Sequence, residues 1–430
     1  MQHDDDKLLD RLQSAAFDYF RQTVNPLNGL VQDTSRPGSP ASIACVGFAL
    51  AAYPVGVERD WMTHEDAVAL TLTTLRFFQN SPQSADPKAT GNKGFYYHFL
   101  DMESGRRTWD CELSLIDTAL LLAGMLTAGC YFSADTAAEA EIRALVAQLY
   151  GRVDWVWAQN GGTTLAQGWK PEYGFMHRGW EGYNEATILY LLALASTEYP
   201  LPGDSYAAWT RTYQWENIYG HDVLYAGPLF IHQFSHIWVD FRAIQDDFMR
   251  EKNFDYFRNS RHATLIQRKY AEHNPNSFSG YAADCWGLSS GDGPGGVLLN
   301  VEGHDRRCFT YTARGVPFGP DDGTISPPAV VGSLPFAPEI VMPAIRHILK
   351  TYPGVLQAGQ LSSGFNATAV NTDGLPWVSQ GSYGLDQGLM VLMIENYRSQ
   401  MIWKLMRNCQ PLRNGLLKAG FSGGWLNSDR

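Results

Sequence analysis

Residues 113–132 read LSLIDTALLLAGMLTAGCYF, and residues 186–195 read ATILYLLALA. Taken at the helical period of 3.6, both are apolar on nearly every face. A helix that is hydrophobic all round is buried all round. Between them, residues 134–158 carry apolar side chains on one face and charge on the other. Buried helices alternating with amphipathic ones imply two concentric layers, an inner ring and an outer ring.

The remaining chain continues this pattern. Leu8, Leu12, Ala15, Ala16, Tyr19 and Phe20 recur on one face of a helix over residues 7–24. Thr63 and Asp66 have the spacing of a capping box and open another helix, whose apolar residues run through Phe78. Further helices are expected over residues 235–250, 254–273, 338–349 and 386–408. Residues 277–334 are rich in Gly, Pro, Asp and Ser and read as long functional loops with short strands. No exact repeat and no low-complexity linker divides the chain, so residues 1–430 read as one domain. The polar residues 1–7 resemble a tag or a disordered start. The fold expected is all-α, an (α/α)6 toroid of about six helical hairpins.

Composition narrows the function. Of 430 residues, 45% are hydrophobic and 18% charged, which fits a large core. The formal net charge of −11 argues against nucleic acid and anionic membrane surfaces and fits a neutral polymer. No run approaches the roughly 20 apolar residues that span a bilayer. The 13 Trp, 21 Tyr and 21 Phe often stand beside Gly, Asp and Asn, where aromatic faces suit flat sugar rings. Six cysteines at 45, 111, 130, 285, 308 and 409 lack metal-type spacing and read mainly as buried free thiols.

Both buried helices open with acids. Asp110 and Glu112 precede the first, and Asp117 lies inside its apolar run, a costly place for a carboxylate without a partner or water. Glu181 and Glu185 precede the second, four apart and on one face if that stretch is helical. Parallel inner helices would bring these ends to one rim. Glycoside cleavage needs such a group: one protonated acid for the leaving oxygen and one ionised carboxylate for water or the sugar. The alternative is that the acids simply cap helix ends. His232 and His236 are four apart but lack a third ligand, so no metal and no cofactor are expected, and they read as core histidines. No phosphate-binding loop, dinucleotide fingerprint or serine-nucleophile elbow is present.

Several motifs stand in a fixed order: 94–101 (GFYYHFLD), 112–120 (ELSLIDTAL), 179–186 (GWEGYNEA), 232–236 (HQFSH), 286–288 (WGL), 322–327 (DGTISP) and 394–398 (IENYR). The series, spanning about residues 8–421, resembles the "putative glucoamylase" domain family, and within it glycoside hydrolase family 144. The resemblance implies an (α/α)6 barrel acting on β-1,2-glucan, mostly endo, with inversion, and releasing sophorose and longer sophoro-oligosaccharides. It implies Glu185 as general acid, with Glu181 a close competitor, and Glu112 and Asp117 as base or substrate-binding acids. Asp110 has no secure counterpart and is placed with the substrate-binding set. That set otherwise takes motif residues: Tyr97, His98, Trp180, Tyr183, Asn184, His232, Gln233, His236, Trp286, Asp322, Thr324 and Glu395. Members of the family usually act in the periplasm or outside the cell, and a monomer with a polysaccharide or oligosaccharide substrate is expected.

Two departures from the family pattern, at 289–291 (SSG) and Pro328, leave chain-length preference and mode of attack open. Exo-action releasing sophorose, transglycosylation, a non-catalytic glucan-binding protein and a polysaccharide lyase are the competing readings.

Overall fold

The computed structural model describes residues 2–427. In chain order the helices are α1 (Gln2–Thr23), α2 (Ile43–Glu58), α3 (His64–Asn80), α4 (Leu115–Tyr131), α5 (Ala137–Gly151), α6 (Trp155–Ala158), α7 (Thr187–Ala195) and α8 (Asp204–Thr210). Then come α9 (Phe234–Trp238), α10 (Asp247–Glu251), α11 (Tyr256–His273), α12 (Pro327–Gly332), α13 (Pro338–Thr351), α14 (Gly384–Arg398), α15 (Met401–Arg407) and α16 (Gln410–Lys418). The chain is mostly helical, with small antiparallel sheets between the helices.

The two quoted stretches are the buried α4 and α7. A third buried helix, α2, is absent from the sequence reading. Gly47, Gly56 and Pro54 interrupt the usual signals, yet Ile43 through Gly56 are buried. Contacts run from α7 to α4, to α2, to α14 and on to α12. The amphipathic helices lie outside: α1 on α14, α3 on α5, α16 on α7 and α13 on α12. The α2–α4 crossing is close because both partners present glycine. A Cβ on Gly124 would lie 1.9 Å from the Gly47 carbonyl oxygen.

Several expected boundaries move. The polar start is helical from Gln2, and Arg346 Nε donates to Asp5 Oδ1 at 2.9 Å. Residues 134–158 divide into α5 and α6, the latter capped by Asp154 accepting from Trp157 N. The helix expected over 235–250 is two short ones, because Val239 is extended and Ala243 has a φ of 59°. Likewise 386–408 breaks at Gln400, whose φ is 60°. Thr63 caps α3 by accepting from Asp66 N at 3.1 Å, as its spacing predicts.

One five-stranded sheet positions the site. Its order is Gly91–Asn92, Phe95–Tyr97, Leu113–Ser114, Gly168–Lys170 and Gly174–Phe175. Tyr97 pairs with Leu113, which sets His98 beside Glu112 where the strand hands over to α4. The long loop segment is pinned from inside by a buried ion pair, Arg314 Nε to Asp322 Oδ1 at 2.6 Å. All six cysteines are free thiols, and only Cys130 is not fully buried. Among the described residues no helix is long and apolar enough to cross a membrane.

Candidate active site

The N-terminal parts of α4, α12 and α14 and the residues leading into α7 meet at one cavity of about 750 Å³. Ile116, Asp117 and Leu120 reach it from α4, Leu385, Asp386 and Leu389 from α14, and Ala329 from α12. Glu185 reaches it from the residue pair preceding α7. Loop 33–39 adds Asp33 and Arg36, and Trp180, Trp109, Tyr311 and Tyr383 supply aromatic wall.

His98 joins two acids. Its Nδ1 lies 2.9 Å from Glu112 Oε1 and its Nε2 3.5 Å from Asp117 Oδ2. Burial alone would lower its pKa. The charges of Asp117, Glu112 and Asp33 outweigh that and lift it to about 9, so His98 is an imidazolium at neutral pH. Burial pushes Glu112 up, but His98 outweighs it and holds the carboxyl below its ordinary range. Asp117 is also fixed by a reciprocal cap. Ser114 Oγ donates to Asp117 Oδ2 at 2.5 Å, and Asp117 N donates back to Ser114 Oγ at 3.2 Å.

Glu185 sits differently. Among the described residues no cation shifts it, and burial, reinforced by the charge of Asp117, lifts its pKa to about 7. Its backbone is held firmly. Ser235 Oγ donates to the Glu185 carbonyl at 3.1 Å and accepts from Ile188 N at 3.1 Å. Asn184 Oδ1 accepts from Ala186 N at 3.0 Å. Tyr190 Oη donates to the Trp180 carbonyl at 2.9 Å and fixes the preceding loop.

A second group of acids was not anticipated from the sequence. Burial lifts Asp386 to about 8, helped by Asp292 and Asp33, and its Oδ2 has no hydrogen-bond partner among the described residues. Burial also lifts Asp33 to about 6; His98 opposes this and Asp117 adds to it. The Asp33 carbonyl accepts from Gly384 N at 2.8 Å, which locks its loop to the start of α14. Nearby, Arg36 pairs with Asp292, and Tyr383 Oη donates to Asp292 Oδ1 at 2.9 Å.

Of the expected site residues, the cavity gathers Glu185, Glu112, Asp117, His98 and Trp180. The Trp180 indole N–H is buried with no hydrogen-bond partner among the described residues. The rest are elsewhere. Residues 181–185 are not helical, and Glu181 is exposed outside the cavity wall, so the shared-face expectation fails. Asp110 is exposed beside the wall. Asn184 holds the turn before α7 by accepting from Ala186 N, as described above. Tyr97 is buried under Arg107, whose guanidinium lies 4.8 Å from its ring centre.

The others lie outside the cavity wall, each held by its own packing or hydrogen bonds. Tyr183 packs on His232, ring centres 5.2 Å apart. Burial lowers His232 to about 4 and His236 to about 3, leaving both neutral; His236 Nε2 lies 2.9 Å from Ser260 Oγ. Gln233 donates to the Ala329 carbonyl at 2.7 Å. Trp286 is fully buried. Asp322 belongs to the Arg314 pair, and Thr324 Oγ1 accepts from Asn366 at 3.1 Å. Glu395 takes both Arg59 nitrogens at 2.9 Å and Gln13 at 2.9 Å, at the end of α14 away from Asp386.

His98, Glu112 and Asp117 offer one ligand atom each within 4.8 Å of one another. The histidine places one ring nitrogen against each carboxylate, so a single imidazolium bridges the two acids.

A family model described as "Putative glucoamylase" matches residues 177–410. A curated relative, an exo β-1,2-glucooligosaccharide sophorohydrolase (non-reducing end) of Parabacteroides distasonis, is 28% identical over 96% of this chain. The chain spans only 58% of that protein's length. A structure from Bacteroides uniformis described as a "putative glucoamylase" superposes with a TM-score of 0.86 at 29% identity, covering 98% of this chain and 99% of that one. An endo-β-1,2-glucanase of Chitinophaga pinensis, in complex with sophorotriose and glucose, superposes at 0.85 with 26% identity, covering 98% and 99%.

Proposed function

The chain belongs to the "Putative glucoamylase" family, and from that premise we propose that it is a glycoside hydrolase cleaving β-1,2-glucan within an α/α toroid. One observation carries the reading. The ends of three buried helices deliver carboxyl groups of different protonation state into one cavity. That is the arrangement acid–base cleavage of a glycosidic bond requires. Relatives with the same fold supply the linkage.

Glu185, with a pKa of about 7, is the proton donor to the glycosidic oxygen. His98 holds Glu112 in its ionised form and also contacts Asp117; with their oxygens already engaged by the imidazolium, these two acids are assigned to accepting from sugar hydroxyls. The base is the Asp33–Asp386 pair. Burial keeps the proton on Asp386 at neutral pH, with Asp292 and Asp33 adding to it, whereas Asp33, raised only to about 6, is charged and takes the proton of the attacking water. The leaving sugar departs with the Glu185 proton, and the water oxygen bonds to the anomeric carbon. Inversion belongs to this reading, because the water and not an enzyme carboxylate attacks the anomeric carbon.

Endo-action is the first reading. Exo-release of sophorose is the second, favoured by the curated relative that matches 96% of this chain. Incubation with β-1,2-, β-1,3-, β-1,4- and α-1,4-glucans, followed by product sizing over time, tests both. Activity on the β-1,2 polymer with a spread of early products supports endo-cleavage, and sophorose alone from the first minutes supports exo-cleavage. Cleavage of none but α-1,4-glucan overturns the proposal.

A further inference from the structure

Trp109 lines the cavity yet is 66% exposed, among the most exposed large apolar side chains of the protein. Its backbone is unusual. Cys111 N donates to the Thr108 carbonyl at 3.2 Å, closing a four-residue turn around Trp109 and Asp110. Both central residues have positive φ, 56° and 46°. Such a turn is normally built from Gly, Asn or Asp. Asp110 tolerates it, whereas a bulky aromatic residue is disfavoured there. Burial does not compensate for the strain, because most of the indole faces solvent. Strain held in place at the edge of a ligand cavity points to a function for the side chain.

The indole is also aimed by its neighbours. Phe99 packs against it, ring centres 5.0 Å apart, and stacks in turn on His98 at 3.9 Å with a 14° interplanar angle. Trp109 thus belongs to an aromatic ladder that ends at the imidazolium bridging Glu112 and Asp117. We propose that Trp109 is a sugar-stacking platform at the cavity mouth that selects longer chains by holding a glucosyl ring beyond those enclosed in the cavity. The inference rests on the glucan-hydrolase reading above. The apolar face of a glucosyl ring needs a flat, exposed partner, and an indole on a stiff turn offers one at little cost in side-chain freedom.

The test uses the whole chain carrying Glu185→Gln, titrated calorimetrically with β-1,2-linked gluco-oligosaccharides of increasing length, alone and with Trp109→Gly or Trp109→Phe. Trp109→Gly should weaken binding of the longer oligosaccharides about tenfold and of the shortest far less. It should not lower the melting temperature, because glycine relieves the turn. Trp109→Phe should restore most of the affinity. Equal affinity at every length with Trp109→Gly overturns the platform while leaving the hydrolase reading intact. A Glu185→Gln parent that binds no β-1,2-linked oligosaccharide of any length overturns both.

Discussion

Ser235 Oγ donates to the main-chain carbonyl of Glu185 at 3.1 Å, so a side chain from α9 sets where the acid preceding α7 stands. The same hydroxyl accepts from Ile188 N at 3.1 Å and substitutes for the missing N-cap of α7. Ser235 touches no reacting atom in this scheme; it is a positioning residue. Ser235→Ala should lower kcat about tenfold to a hundredfold with little change in KM, since small misplacements of a catalytic group are costly. Ser235→Thr should recover much of the loss. Steady-state kinetics on β-1,2-glucan check this, and a pure KM effect would speak against it.

The pH profile follows from two groups. Glu185 must be protonated to donate, so activity should fall as pH rises through about 7. The base pair must hold a charge, so activity should fall as pH drops below about 6, the Asp33 value. A bell with its maximum between these limbs is expected in kcat/KM. Glu185→Gln should remove the alkaline limb from the residual rate.

Either Asp33→Asn or Asp386→Asn should cost at least about 100-fold in kcat if the pair acts as base. If both variants keep near-normal rates while Glu112→Gln or Asp117→Asn abolishes turnover, the base lies among the His98-bound acids instead.

His98 gives a stability signature. Its folded pKa of about 9 exceeds the ordinary 6.5, so its contribution is fully present below pH 6.5 and is lost as pH rises through about 9. Raised acids such as Glu185 and Asp386 act in the same direction, because the folded state binds their protons more tightly. Urea unfolding from pH 6 to pH 9.5 should therefore show falling stability. His98→Gln should flatten the upper part of that fall and cost about 1.5–3 kcal/mol at pH 6.

Glu395 separates structural from substrate roles. Removing it leaves Arg59 half-enclosed without its partner. Glu395→Ala should lose about 3–5 kcal/mol of stability by denaturant titration while KM stays near the parent value.

The inner helices were legible in the sequence wherever an unbroken apolar run spans several turns, as in α4 and α7. α2 was not, because Pro54 and two glycines mask a run that only tertiary packing against Gly124 explains. The rule that found Glu112 and Glu185, an acid leading a solid apolar helix, also describes Asp386 at the head of GLDQGLMVLMI. Applied to that third helix, it would have identified the acid. Asp33 offered no such signal, since it sits in a loop brought to the cavity by the Gly384 hydrogen bond. The structure places the motif residues Asp322, Thr324 and Glu395 in buried braces and not on the cavity wall. A polar residue in a recurring motif can serve a buried brace as readily as a ligand, and spacing alone does not tell the two apart.

Glu185→Gln offers the most direct measurement of the central claim. With folding confirmed by an unchanged melting curve, the account predicts that kcat on β-1,2-glucan falls by about 10²–10⁴-fold while glucan binding persists. A variant that turns over the polymer at close to the parent rate would contradict it.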